Sequence, residues 1–192
     1  MQLVDQVFSY TRDTIAAFAR EGVMPDTVQV GNEITQGMIW PDGKLPDNWD
    51  NIERSGDYDA AVWFLDNLIA HHVLFDVIGI SCYPRWHGGV AKLRGNLHDL
   101  ALRYQHPIII VETAYNWTPG DFIGKKSDFP ESPAGQANFL RAVDAAVRSI
   151  PRGLGQGVFW WEPAAEGVLQ GKGFFDSGGN VLPVIGVLQG KR

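Results

Sequence analysis

The clearest structural signal in this chain of 192 residues is Ile108-Ile-Ile-Val111, which is followed directly by Glu112. All four side chains are β-branched and apolar, and no polar residue interrupts them. An unbroken run of this kind is typical of a parallel strand covered on both faces, because a strand with one face in water alternates apolar and polar residues. The sequence therefore predicts a buried parallel strand that ends at an acidic side chain.

Three other segments have the composition of short strands, and amphipathic segments separate them. The further predicted strands cover residues 27–31, 75–81 and 157–161. Apolar side chains recur at helical spacing in residues 4–18, 62–69, 90–104 and 133–150. Alternating helices and strands predict an α/β fold with a parallel sheet, and such sheets carry their chemistry at the carboxyl ends of the strands.

Glutamate side chains occupy two of these predicted strand ends. Glu33 follows the strand at 27–31, and Glu112 ends the strand that begins at Ile108. Burying an unpaired carboxylate at the end of a strand costs free energy, so each of these glutamates suggests a functional role. For a single such residue, a helix cap or an ion pair is the commoner role. Hydrolysis of a glycosidic bond requires two carboxyl groups, one to protonate the leaving oxygen and one to attack or to activate water.

Aromatic and amide side chains accompany the predicted strand ends. The chain has seven Trp, ten Phe and five Tyr, and many of them lie beside Gly, Pro or Asn in predicted loops. Aromatic rings there can stack on sugar rings, although Trp is also common in cores and interfaces, and Asn32 can hold a sugar hydroxyl beside Glu33. The residues predicted to contact a sugar are Asn32, Trp40, Tyr83, Trp86, His87, Tyr115, Trp117 and Trp161, with Trp160 as a further candidate.

The composition argues against several other classes of function. The chain has 16 basic and 22 acidic side chains, a formal net charge of −6 and no cluster of Lys or Arg, so nucleic acid is not an expected partner. No apolar run approaches 18 residues, so no membrane-spanning helix is predicted. Charged residues are scattered through the first 20 positions, and no signal peptide is predicted in this chain.

The sequence contains no recognisable metal-binding pattern. Cys82 is the single cysteine, so it cannot form an internal disulfide, and no Cys/His spacing matches a zinc site. Asp121, Asp128 and Glu131 offer the oxygen ligands that calcium takes, but their spacing matches no EF-hand and favours a solvated loop. We therefore predict no metal and no cofactor, with structural calcium as the alternative.

Four segments resemble the glycoside hydrolase family 53 galactanases, and they occur in the family's order. They are Gln29–Lys44, Phe75–Gly88, Ile110–Tyr115 and Gly157–Pro163. The resemblance implies a (β/α)8 TIM barrel of the clan A type and endo-acting cleavage of β-1,4-galactan, the pectin side chain also called type I arabinogalactan. It further implies a retaining double displacement with Glu33 as general acid/base and Glu112 as nucleophile, Asn32 beside the acid/base and Trp161 as a sugar platform. An extracellular or periplasmic location follows from the same resemblance.

The chain is shorter than the family pattern requires. A (β/α)8 barrel takes about 250 residues, or roughly 31 for each βα unit. Glu33 and Tyr83 are 50 positions apart, where the resemblance places two units. We therefore expect residues 1–192 to form a single incomplete barrel domain with four of eight strands, equivalent to family strands 4, 6, 7 and 8, in a truncated and internally deleted galactanase.

Two consequences are expected from these departures. Four strands cannot close an eight-stranded barrel, so we expect the isolated chain to lack appreciable activity although both glutamates are present. Cys82 replaces a tyrosine that the family usually has, so we also expect the loss of a hydroxyl that could contact substrate or nucleophile. The alternatives are another clan A endo-glycanase, such as a mannanase or a cellulase, and a non-catalytic carbohydrate-binding remnant.

Overall fold

The structure is a computed structural model that describes residues 3–29, 31, 58–70 and 72–189. The chain divides into two compact units, residues 1–52 and residues 53–192. None of the helices within the described ranges is both long and apolar enough to cross a membrane.

The first unit contains helix α1, Leu3–Arg20, which confirms the helix predicted from the apolar spacing. Within the strand predicted at 27–31, the described residues 27–29 and 31 have no strand structure. Gly31 instead has a φ of +85°, and the Gln29 side-chain amide donates to the Gly31 carbonyl at 3.0 Å. A strand is stable only when its backbone groups pair with a neighbour, whereas here the Gly31 carbonyl is satisfied by the Gln29 side chain.

The second unit contains a parallel sheet and the helices that follow its strands. Its elements in chain order are α2 (Tyr58–Ala70), β1 (Ile78–Cys82), α3 (Pro84–His87), α4 (Val90–Tyr104), β2 (Ile108–Thr113), α5 (Pro133–Arg148), β3 (Gly155–Val158) and α6 (Ile185–Leu188). Short 3-10 helices cover Pro151–Gly153 and Gly167–Lys172.

The sheet has three parallel strands in the order β1-β2-β3, so the strand built on the isoleucine run is central. Ile108 and Ile110 are fully buried on one face, whereas Ile109 and Val111 on the other face are half-buried, so the prediction of a strand covered on both faces is confirmed in full for one face only. β3 begins two residues earlier than predicted, and the backbone bonds continue beyond it, since the Trp161 N–H donates to the Thr113 carbonyl at 2.8 Å. The predicted α/β class is confirmed, with three strands in the described sheet.

The core lies between the sheet and helices α4 and α5. Its fully buried side chains include Leu97, Phe139 and Val143. Ser132 caps α5 as the sequence predicts, because its hydroxyl accepts from the Gly135 N–H at 3.1 Å and Pro133 is the first helical residue. This helix therefore has a fixed start, immediately after the loop that leaves β2.

Candidate active site

A loop follows the carboxyl end of each of the three strands. The β1 loop is 83–89, the β2 loop is 114–132 and the β3 loop is 159–173. Most of the predicted site residues that the structure describes lie on these loops, and Glu112 lies at the end of β2.

A bulge in β2 sets the position of Glu112. The pairing of β1 with β2 shifts so that Ile80 pairs with Ile110 but Ser81 pairs with Glu112, which leaves Val111 as an extra residue. The burial pattern along β2 shifts with it, and Glu112 is half-buried while Thr113 is fully buried. Strict alternation would place Glu112 on the face of the fully buried Ile110. The bulge thus turns a carboxylate out of the core at the end of the strand, as bulges beside active sites commonly do.

Tyr83 contacts this carboxylate directly. The Tyr83 hydroxyl donates a hydrogen bond to Oε1 of Glu112. The Thr113 hydroxyl, next to Glu112, donates to the Cys82 carbonyl at 2.6 Å and so joins the ends of β1 and β2. These two bonds fix the orientation of the Glu112 carboxylate relative to the β1 loop.

His87 holds the backbone of the β1 loop. The Tyr83 N–H donates to Nδ1 of His87 at 2.9 Å, so this nitrogen acts as a hydrogen-bond acceptor. The side chain of His87 is buried, whereas Trp86 is 52% exposed and meets the Tyr83 ring edge-on at 5.5 Å. Trp86 therefore offers an open aromatic surface near Glu112, and His87 supports Tyr83 from within the loop.

Cys82, expected to cost the site a tyrosine hydroxyl, lies in the core. Its side chain is only 2% exposed and packs in the hydrophobic core, and burial raises the pKa of the thiol to about 12. A side chain at position 82 therefore points into the core, while the hydroxyl that contacts Glu112 belongs to Tyr83. The cysteine is an uncharged core residue, and the Glu112 carboxylate keeps a tyrosine hydroxyl from the neighbouring Tyr83.

Tyr115 also lies in the core. It is 2% exposed, stacks on Phe139 with a centroid distance of 4.6 Å, and its hydroxyl donates to the Phe129 carbonyl. Burial is the main cause that raises the pKa of Tyr115. This position is at odds with the predicted contact with a sugar, and we reassign Tyr115 as an anchor of the β2 loop. Trp160 is likewise packed against Phe139.

Two other predicted tryptophans lie near the strand ends and are partly exposed. Trp161 follows β3, and its N–H pairs with the carbonyl of Thr113, the neighbour of Glu112. Trp117 lies on the β2 loop, where its indole Nε1–H donates to the Gln170 carbonyl at 2.9 Å. Since the indole N–H already donates to Gln170, Trp117 can contact a ligand through the face of its ring.

The remaining predicted site residues are Asn32, Glu33 and Trp40, which lie outside the described residues. The roles of Glu33 and Asn32 and the carboxyl separation of about 5–5.5 Å that a retaining enzyme needs therefore stay predictions.

The acidic residues considered for calcium have separate protein donors. Glu131 accepts from the backbone N–H groups of Gly120, Asp121 and Phe122, at 2.9, 2.7 and 3.2 Å. Asp128 accepts from the Val90 N–H at 2.9 Å, at the start of α4. Across the described ranges, no three His, Cys, Asp or Glu side chains form a group that could hold a metal ion.

Two residues organise the loops in a way that was not predicted from the sequence. Asp121 forms a salt bridge with Lys172 of the β3 loop, with 2.7 Å between the Asp121 Oδ2 and Lys172 Nζ atoms. Gln136 is fully buried at the start of α5, and its amide donates to the carbonyls of Tyr115 and Gly173, at 2.9 and 3.0 Å. Gln136 could have been found as a polar residue within the apolar stripe of α5, whereas the ion pair has no local pattern because its partners are 51 positions apart.

A family model for glycosyl hydrolase family 53 matches residues 1–56 and 51–187. The chain belongs to this family. Among solved structures, the family 53 catalytic domain of Ignisphaera aggregans is similar with a TM-score of 0.81 and 29% identity, covering 97% of this chain and 64% of that one. A second similar structure, of fungal β-1,4-galactanases, gives a TM-score of 0.78 at 25% identity and covers 96% of this chain and 67% of that one. These similarities confirm the prediction of a partial (β/α)8 barrel.

Curated relatives in the family include named galactanases. An uncharacterized protein from the bgaB 5′ region of Niallia circulans is 36% identical, covering 85% of this chain and 56% of its own length. An arabinogalactan endo-β-1,4-galactanase of Cellvibrio japonicus is 30% identical, and the match covers 85% of this chain and 53% of that enzyme. Another, of Humicola insolens, is 29% identical, and the match covers 83% of this chain and 58% of that enzyme. This chain thus spans a little over half the length of the curated relatives that it matches.

The alignments also indicate residues that this chain lacks internally. The match to the Niallia protein runs over 204 positions but covers only 85% of the 192 residues here, so the relative has additional residues within the aligned span. The two matched segments of the family model meet at residues 51–56. That break lies within the span from Glu33 to Tyr83, where the sequence predicts a missing βα unit.

Proposed function

We propose that this chain carries the site of a retaining, endo-acting hydrolase of β-1,4-galactan. The observation that supports this proposal best is the Glu112 carboxylate, turned out of the core at the end of the central strand and held by the Tyr83 hydroxyl. The names of the Cellvibrio and Humicola relatives give the substrate class. We extend the proposal to a role in pectin degradation and to an extracellular or periplasmic location.

In the proposed first step, a Glu112 oxygen attacks the anomeric carbon of a bound galactosyl unit. The bond from that carbon to the leaving oxygen breaks, and Glu33 donates its proton to the leaving oxygen. The products are a shortened galactan and a galactosyl ester of Glu112.

In the proposed second step, Glu33 takes a proton from water, and the water oxygen attacks the same anomeric carbon. The ester bond breaks, Glu112 leaves as a carboxylate, and the configuration at the anomeric carbon is retained after two inversions. Trp86 and Trp161, both partly exposed near Glu112, are proposed to contact the sugar rings.

We expect turnover by the isolated chain to be slow, so the decisive test should not depend on turnover. The proposed reagent is a dinitrophenyl 2-deoxy-2-fluoro-β-galactobioside. Its leaving group needs no protonation, so labelling reports on the nucleophile without requiring Glu33. Mass spectrometry of peptides from the treated chain should locate one fluorogalactobiosyl group on Glu112.

Two variants make the test specific. Glu112→Gln should abolish labelling, and Glu166→Gln, an exposed glutamate of the β3 loop, should leave it unchanged. Labelling elsewhere, or galactan binding without any labelling, would refute the catalytic proposal, and the second result would favour the carbohydrate-binding remnant. Assays of reducing ends released from galactan, mannan and cellulose by the same protein would separate the galactanase from the other endo-glycanases.

A further inference from the structure

One carboxylate connects all three loops at the strand ends. Asp121 of the β2 loop accepts from Nζ of Lys172 in the β3 loop at 2.7 Å and from Arg85 in the β1 loop at 3.3 Å. The side chains of Lys172 and Asp121 are 14% and 21% exposed. Salt screens such a pair less than it screens an open surface pair.

Each cation that binds Asp121 is also linked to an aromatic side chain. The Arg85 guanidinium lies over the ring of Trp86, 5.5 Å from its centroid, and so couples the exposed indole to the carboxylate. On the other side, the residues before Lys172 hold Trp117, because the Gln170 carbonyl accepts from its indole N–H and the Gly171 carbonyl accepts from its backbone N–H. Asp121 is therefore the point at which the supports of Trp86 and Trp117 meet.

Hydrogen bonds that do not involve the Asp121 side chain already hold the backbones of these loops. Gln136 joins the β2 loop to the β3 loop through the Tyr115 and Gly173 carbonyls, and Tyr115 is packed in the core. Glu131 also holds the backbone on both sides of Asp121. The Asp121 side chain is thus not needed to form the loops, and its specific effect is on the placement of Arg85 and Lys172.

We infer that Asp121 is a positioning residue that holds Trp86 and Trp117 as two fixed stacking surfaces for a galactan chain. This inference rests on the proposed function. We expect a long galactan chain to stack on both rings and a disaccharide bound at Glu112 to stack on fewer. The charge of Asp121 should therefore affect the affinity for long galacto-oligosaccharides more than the affinity for short ones.

The binding test compares galactohexaose with galactobiose by calorimetry in the Glu112→Gln background. Adding Asp121→Asn should weaken hexaose binding by about fivefold, which is the scale of one cation–π or stacking contact, and should change galactobiose binding by less than about twofold. The matched control is Asp144→Asn, which removes the surface pair of Asp144 with Arg148 and should change neither. Lys172→Arg should retain the hexaose affinity, because it keeps the charge.

A second measurement needs no sugar. Fluorine NMR of the chain labelled with 5-fluorotryptophan, assigned by single Trp→Phe variants, should show that Asp121→Asn shifts the signals of Trp86 and Trp117. The signal of Trp63 on α2 should stay in place. Equal loss of affinity for both saccharides, unchanged affinity for both, or unchanged Trp86 and Trp117 signals would each overturn the inference. If the parent chain binds neither saccharide, the proposed function fails, and the fluorine signals alone decide the role of Asp121.

Discussion

Removing the hydroxyl of Tyr83 gives the most direct test of how the candidate nucleophile is supported. Tyr83→Phe keeps the ring and its edge-on contact with Trp86 but deletes the donor that binds Oε1 of Glu112. The substitution should lower the rate of the second step of the proposed reaction. There Glu112 is the leaving group, so negative charge develops on the oxygens that Tyr83 can stabilise.

The size of the effect follows from the strength of such a bond. A hydrogen bond to a fully charged group contributes about 1.5–3 kcal/mol. A transition state with roughly half of that charge loses about 0.7–1.5 kcal/mol when the donor is removed, which corresponds to a rate lower by about three- to tenfold.

The assay measures reactivation of the chain that carries the fluorogalactobiosyl ester on Glu112. Azide serves as the nucleophile because it needs no base, so the rate does not depend on Glu33. Tyr104→Phe is the matched control, since the Tyr104 hydroxyl donates to Asp66 at 2.8 Å, in another part of the fold. Reactivation of Tyr83→Phe at the parent rate or faster would refute the assigned role of Tyr83.

Two further predictions concern stability and reactivity. Gly135→Ala should destabilise the chain by more than about 1 kcal/mol in urea unfolding, because an added Cβ would lie 1.8 Å from the Pro130 carbonyl oxygen. Gly95→Ala, in the middle of α4 with no atom within 4 Å of the added Cβ, should stabilise the chain by about 0.5–1 kcal/mol. Equal changes in the free energy of unfolding for Gly135→Ala and Gly95→Ala would contradict the packing described for Gly135. Cys82 should resist alkylation by iodoacetamide at pH 8 until the chain unfolds, because a pKa of about 12 leaves only about one thiol in ten thousand ionised. Rapid alkylation of the folded chain would show that the Cys82 side chain is not buried.

The strand predictions succeeded where burial alone determines the pattern. The run from Ile108 to Val111 became the central strand because one of its faces is fully buried and the other is half-buried, and such an environment favours β-branched apolar residues. The segment at 27–31 has similar residues but no strand structure at 27–29. A sequence pattern records the preference of one segment, whereas a strand also needs a partner for its backbone groups.

The shift of β3 has a different physical reason. Its predicted start is Gly157, whereas the strand begins at Gly155. At Gly155 an added Cβ would lie 2.0 Å from the Val147 carbonyl oxygen of α5, so only glycine permits this close packing. A glycine is usually interpreted as a strand breaker, but here it is required by the contact between helix and strand.

The candidate site was predicted in its chemistry but only partly in its geometry. Glu112, Tyr83 and the exposed Trp86 lie together at the predicted strand ends. Tyr115, predicted to contact a sugar, is instead packed in the core, because an aromatic residue in a matched motif can belong to the core that supports the site. The salt bridge of Asp121 with Lys172 could not be predicted, since it depends on how two loops far apart in the sequence pack together.

The bulge at Val111 shows why correct strand assignment was not enough to place the carboxylate. Alternation from Ile108 and Ile110 assigns residue 112 to the fully buried face, where an ionised carboxylate would be strongly destabilised. One extra residue reverses the assignment, so that Thr113 is buried and Glu112 can meet Tyr83. A single-residue change of register therefore separates a buried structural position from a potential nucleophile, and the apolar run itself contains no signal for that change.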